Sequence, residues 1–123
     1  MTLTRDENAS YAQLAVIDKY ETVVEYLYPI LQNCPRKHSI ARDLILKTMF
    51  AQVELLIVAA KSGQASKVYA ADANLATLRY WLRFASGSKL KIITPHQHQV
   101  ALTLVAEVGA MVGAWIKSAR SRG

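Results

Sequence analysis

The stretch Lys67–Phe84, KVYAADANLATLRYWLRF, decides the fold. Val68, Ala71, Leu75, Leu78 and Leu82 recur at spacings of three and four, the period that lines side chains along one face of an α-helix. Arg79 and Arg83 are four apart, so they stack one turn above the other on a second face. Tyr69, Ala73, Ala76 and Tyr80 make a third line, small residues with an aromatic at each end. A helix with one apolar face can be completed inside a monomer. This one has more non-polar surface than a single seam needs, with paired arginines beside it. It reads either as a core helix with solvated arginines or as a helix that also meets a partner.

Three more helices flank it. Upstream, a helix from about Ser10 to Gln32 has the seam Val16, Tyr20, Val23, Leu27 and Ile30, widened by Leu14, Ile17, Val24 and Leu31. Pro29 removes a backbone donor late in that helix, so a kink or loose last turn is expected there, before a break at Asn33-Cys34-Pro35. A second helix from about Arg36 to Ala60 carries Ile40, Leu44, Thr48, Ala51, Leu55 and Val58 as its main stripe, with Ile45, Met49, Gln52 and Leu56 beside it. Gln52 near the inner side requires a hydrogen-bond partner. Gly63 suits the left-handed residue that ends this helix. The central helix stops at Gly87, and Ser88–Ile93 is a short extended loop or a ragged turn. Thr94-Pro95 with Gln97 is the clearest helix start in the chain. The helix it opens runs to about Ser118, with Ala101, Leu104, Val108, Met111 and Trp115 as its stripe. Gly109 and Gly113 thin one side, which predicts close approach by another backbone, within the bundle or from another subunit.

Four such helices joined by short turns predict an all-α, up-down-up-down antiparallel four-helix bundle, a single domain over residues 1–123 with frayed ends at 1–9 and 119–123. In that topology the 61–66 turn lies with both termini, gathering Lys61 and Lys67 near Arg5, Lys117, Arg120 and Arg122. The opposite end gathers Arg36, Lys37 and His38 near Lys89, Lys91, His96 and His98.

The whole-chain numbers agree. A chain of 123 residues, 52% hydrophobic, buries roughly two thirds of its unfolded surface, enough for a core without staples. With five glycines and three prolines it does not read as a turn-rich β fold. No uninterrupted apolar run reaches the roughly 18 residues of a membrane span. The start MTLTRDENAS lacks a signal-peptide core, so a cytoplasmic protein without membrane contact is expected. Cys34 is alone and forms neither an intramolecular disulfide nor a cysteine metal cluster. The net charge of +6, with pI near 9.6, favours polyanionic partners without distinguishing RNA, DNA or an acidic protein.

No catalytic constellation appears. There is no glycine-rich phosphate loop. His96 and His98 point about 200° apart on a helix and cannot share a metal without a break in it. The Glu-x-x-His motifs of a di-iron bundle do not occur. Asp72 is placed to orient Arg79 or a partner's basic group, and Glu54 and Glu107 to pair with a lysine or arginine, within the bundle or between subunits. Tyr20, Tyr26, Tyr28, Tyr80, Trp81 and Trp115 read as core or subunit-contact residues, or as surfaces on which bases stack.

The runs YLYPI (Tyr26–Ile30), PRKH (Pro35–His38), QVELLIVAAKS (Gln52–Ser62), SKVYAADANLATLRYWLRF (Ser66–Phe84), TPHQ (Thr94–Gln97) and AEVGAMVGAWI (Ala106–Ile116) carry a family likeness. Over Tyr11–Arg120 the chain resembles the accessory variability determinant (Avd) proteins of diversity-generating retroelements, within the four-helix proteins encoded in 23S rRNA intervening sequences. The resemblance implies a homopentameric, barrel-shaped assembly of four-helix bundles with a basic surface. It further implies a non-enzymatic protein, with no cofactor or metal, that associates with the element's reverse transcriptase and with RNA or DNA in mutagenic retrohoming. Carried over by position, Arg79 and Arg83 match the family's LR-aromatic-WLR run, Arg36, Lys37 and His38 match PRKH, and Lys61 and Lys67 flank the corresponding turn. These are the expected contacts to reverse transcriptase or nucleic acid. The alternative is a helical protein-interaction module that touches nucleic acid only non-specifically; an enzyme with a metal in the bundle lacks the ligand motifs.

Overall fold

The computed structural model describes the backbone of residues 5–122 and the side chains of residues 12–121. The chain forms α1 (Arg5–Gln32), a 3-10 turn (Arg36–His38), α2 (Ser39–Ser62), α3 (Ala65–Ala85) and α4 (Pro95–Arg122). Each helix packs against two neighbours, α1 and α3 each touching α2 and α4. Sequential helices are therefore adjacent and antiparallel, and the chain is an up-down-up-down four-helix bundle.

Local chemistry sets the boundaries. At the start of α4 the Gln97 backbone N–H donates to Thr94 Oγ1 at 3.0 Å, and the Thr94 N–H donates to Gln97 Oε1 at 2.9 Å. This reciprocal box satisfies two donors that the first turn leaves free. Gly63, with φ 66°, ends α2, its N–H donating to Ala59 O at 3.2 Å. The 86–94 connection is a folded turn: the N–H groups of Leu90 and Lys91 donate to Gly87 O, and those of Ile92 and Ile93 to Ala85 O. Lys91 takes φ 52°, which turns the chain so that Ile92 and Ile93 are buried at the bundle end.

Several helix limits differ from expectation. The end segments expected to fray are helical over 5–9 and 119–122, and residues 1–4 and 123 lie outside the described residues. At the C-terminal end the reason is packing. The stripe Ala101, Val105, Val108, Val112 and Trp115 continues to Ala119, which is buried. α1 continues through Pro29 to Gln32, with Pro29 on an exposed position. Its buried seam is Val16, Tyr20, Val23, Leu27 and Leu31, so Leu31 replaces Ile30, while Leu14 is exposed.

The largest correction concerns α2. Its inward face is Ile45, Thr48, Met49, Gln52, Leu56 and Ala59. The stripe read as principal points outward at three of its members: Ile40 is 88% exposed, and Leu44 and Val58 are 40% exposed. α2 is apolar nearly all round, so periodicity alone offers two stripes. Hydrogen bonding decides between them. Gln52 Nε2 donates to Ala71 O at 2.9 Å, and Gln52 Oε1 accepts from Asn74 Nδ2 at 2.8 Å. Asn74 Nδ2 also lies 3.1 Å from Thr48 O. This node clamps α2 to α3 and orients the whole helix. On the α1 side, the Tyr20 hydroxyl donates to Met49 O at 2.5 Å.

Two measurements test this core. In chemical denaturation, Leu56→Ala is expected to cost about 2–5 kcal/mol, whereas Ile40→Ser stays within about 0.5 kcal/mol of wild type; the reverse order would restore the other stripe. Burial raises the Tyr20 phenol well above its ordinary value of 10.0. The unfolded chain then releases this proton at a pH where the folded chain retains it. The contribution is fully present below pH 10 and falls as pH rises beyond it, an alkaline loss that Tyr20→Phe removes.

Candidate functional site

Arg79 and Arg83 sit one turn apart on the flank of α3 that faces α4 and the 86–90 turn. Packing of Leu75, Leu78 and Leu82 into the core fixes this orientation. Both arginines line a surface pocket of about 320 Å³ with Ala76, Tyr80, His98 and Leu102. A second pocket of about 350 Å³ adjoins it, lined by Tyr80, Arg83, Phe84, Lys89 and the turn around Gly87. Tyr80 and Arg83 belong to both, forming a shared wall. No carboxylate lines either pocket.

The arginines are held differently. Arg79 is half-buried and lies against α4 at Gly109, where a Cβ would sit 3.4 Å from Arg79 Nη1 and 3.9 Å from Leu75 Cδ2. Gly109 therefore makes room for a guanidinium and a leucine tip. Gly113 has nothing within 4 Å of such a Cβ. The backbone approach expected at these glycines does not occur within the bundle. Arg83 is exposed, its Cζ 5.7 Å from the Tyr80 ring centroid, within cation–π range. Trp81 braces this edge, meeting Tyr80 at 5.0 Å and Phe84 at 5.5 Å between centroids, both edge-on.

His98 closes the wall from α4. The Ser86 hydroxyl donates to Arg83 O at 2.8 Å and lies 3.3 Å from His98 Nδ1. Nε2 is buried with no hydrogen-bond partner.

The other expected contact residues lie elsewhere. Arg36, Lys37 and His38 form the 3-10 turn before α2, with Arg36 and Lys37 exposed. Cations at a helix N-terminus oppose its dipole, so local stability gives no reason for Arg36 and Lys37 there. Lys67, exposed in the first turn of α3, opposes the dipole likewise. Lys61 is in the last turn of α2, where the dipole favours it. The side chains of Arg5 and Arg122 lie outside the described residues. Lys67 and Arg79 are separated by roughly 18 Å along the helix, and Arg36–His38 lie at the opposite end of α2 from Lys61, so the set divides into two end groups and a flank pair.

Among the described residues the ion pairs are Lys19–Glu107 at 2.6 Å, joining α1 to α4, and Arg42–Asp43 at 3.0 Å. Glu107 thus pairs within the bundle. Asp72 forms no ion pair with Arg79, and neither pair engages Arg79 or Arg83. Among the described residues no group of three metal-ligating side chains could hold an ion. α4 over Pro95–Ser121 is long and apolar enough to cross a membrane, although polar residues such as Thr103, Glu107 and Lys117 interrupt it. Within the bundle its stripe from Ala101 to Ala119 is core, and Glu107 ties it to α1.

Lys89 was not singled out for the flank cluster from sequence. It joins Arg83 only because the turn after α3 folds back. The two glycines of α4 differ in what a side chain there would meet. Gly113→Ala should stabilise the monomeric bundle by about 0.5–1 kcal/mol, since the methyl group meets nothing. Gly109→Leu should displace the Arg79 side chain, visible as a shift of its Nε resonance in NMR; an unmoved resonance would show that Gly109 does not seat the arginine.

Comparison with curated proteins finds no match. The family model described as bAvd-like matches residues 14–119, which include α2 and α3 entire, most of α1 and α4, and both arginines of the flank. With most of its length matched, the chain belongs to the bAvd-like family.

Proposed function

We propose that this chain is a non-enzymatic accessory protein of a diversity-generating retroelement, acting in the cytoplasm as a homo-oligomer, a homopentamer by family likeness. It presents basic surface to the element's reverse transcriptase and to template RNA or cDNA during mutagenic retrohoming. The observation that carries this reading is the carboxylate-free flank where Arg79 and Arg83 share a pocket and, among the described residues, form no ion pair. Arg36, Lys37, His38, Lys61 and Lys67 extend the basic surface to the two ends. The net charge of +6 acts over the same polyanion.

A second reading, a helical protein-interaction module with only non-specific nucleic-acid binding, draws on the outer face of α2. Ile40, Leu44, Phe50, Ile57 and Val58 are exposed there, more apolar surface than a lone monomer needs. That face suits subunit or polymerase contact and is compatible with assembly in either reading.

Co-expression of the tagged chain with the reverse transcriptase encoded beside it, followed by light scattering with and without nuclease, separates the two. A stoichiometric complex with several copies of this chain is the expected result, and a monomer that ignores the polymerase would overturn it. Nucleic-acid affinity should fall steeply with salt, because each neutralised phosphate releases counterions. Arg79→Ala with Arg83→Ala should reduce the log–log salt slope by about 2 and leave the oligomer intact; loss of the fold in that variant would make the arginines structural.

A further inference from the structure

We propose that the α3 flank is a site for single-stranded nucleic acid, in which an unpaired base stacks on Tyr80 and Phe84 while its phosphates meet Arg79, Arg83 and Lys89. This deepens the nucleic-acid reading above and rests on it.

Three observations converge. Tyr80 is 52% exposed and Phe84 44% exposed. Trp81, half-buried, meets both edge-on at 5.0 and 5.5 Å, and much of each ring is open to solvent. The two pockets on either side of the Tyr80–Arg83 wall, about 350 and 320 Å³, are lined by Lys89 and Arg79 respectively, with Arg83 in both. Cations thus lie on both sides of an aromatic surface, and no carboxylate intervenes. Charge complementarity selects a polyanion over an apolar protein segment as the occupant. The aromatic surface then selects among polyanions. A duplex keeps its bases stacked on one another and offers only phosphates, whereas a single strand offers a π-face to each exposed ring. An acidic peptide would satisfy the arginines but would leave Tyr80 and Phe84 unused.

The arrangement also differs from a general basic patch. Arg36, Lys37, Lys61 and Lys67 line neither of these two pockets. They fit phosphate contact without regard to strandedness. The flank would therefore contribute discrimination, and the ends would contribute affinity.

The test is fluorescence anisotropy on the full chain at one fixed salt concentration. The probes are labelled oligothymidylate and oligouridylate and a duplex of equal length. The wild-type chain should bind the single strands at least tenfold more tightly than the duplex. Tyr80→Leu and Phe84→Leu keep apolar bulk but remove the rings. Each should weaken single-strand binding roughly tenfold and leave duplex binding unchanged. Tyr80→Trp should retain the preference. Trp81 fluorescence should change on single-strand addition and not on duplex addition, a readout lost in Trp81→Phe.

Equal affinity for single strand and duplex would overturn the inference while leaving the basic-surface reading intact. No binding of either probe would overturn both. A leucine variant that changes the oligomeric mass without changing the strand preference would assign the rings to subunit contact instead, and the inference would fail. If one leucine variant does not fold, judged by circular dichroism, the other and Tyr80→Trp still decide the outcome.

Discussion

The node of Gln52, Asn74, Thr48 and Ala71 is the constraint on which the bundle's geometry depends. A buried amide is tolerated only when its donors and acceptor are met, since leaving one unmet costs about 1–3 kcal/mol. Gln52 is fully buried on α2, and its partners, Ala71 and Asn74, are both on α3. That requirement sets the rotation of α2, and with it which of two apolar stripes faces inward. It also sets the register of α3 against α2, because Asn74 reaches both Gln52 and the Thr48 carbonyl. Hydrophobic burial supplies most of the driving force here, but it is non-directional and would accept several rotations of an evenly apolar helix. The polar node removes that freedom.

Once α3 is registered on α2, its flank toward α4 follows. Leu75, Leu78 and Leu82 go inward, so Arg79 must lie along the α3–α4 seam and Arg83 must emerge near its end. Gly109 supplies the space that lets the first guanidinium rest on α4. Ser86, bonded to the Arg83 carbonyl and adjacent to His98, closes the end of the same seam. Arg79 and Arg83 are thereby held on one helix at a fixed spacing, with no carboxylate in their shared pocket, and the turn that follows adds Lys89. The outer face of α2 lies on another side of the bundle, so assembly and polyanion contact can be served by different surfaces.

The core of the candidate site was legible because paired basic residues at helical spacing need no tertiary information to be placed on a common face. Arg79 and Arg83 are four apart, and they line one pocket. Lys89 was not assigned to them, because its position depends on a turn whose hydrogen bonds to Ala85 and Gly87 leave no periodic signal. The glycines of α4 showed that something approaches closely; that it is a side chain at Gly109 and open space at Gly113 depends on the neighbouring helix. The α2 stripe was misread for a related reason. Where nearly every position is apolar, spacing carries little information, and Ile40 and Ile45 are equivalent until a partner is present.

The sequence by itself determined that the chain is helical, where its helices break, and that sequential helices run antiparallel. These follow from short-range physics: three-and-four spacing of apolar residues, the Thr94–Gln97 box, and the left-handed backbone that Gly63 accommodates. Only the tertiary structure decided which side of α2 is core, what Gly109 accommodates, and that Lys89, Arg83, Tyr80 and Phe84 surround one cavity. Each of these depends on groups far apart in sequence whose polar atoms or volumes must be matched, and no local pattern encodes that match.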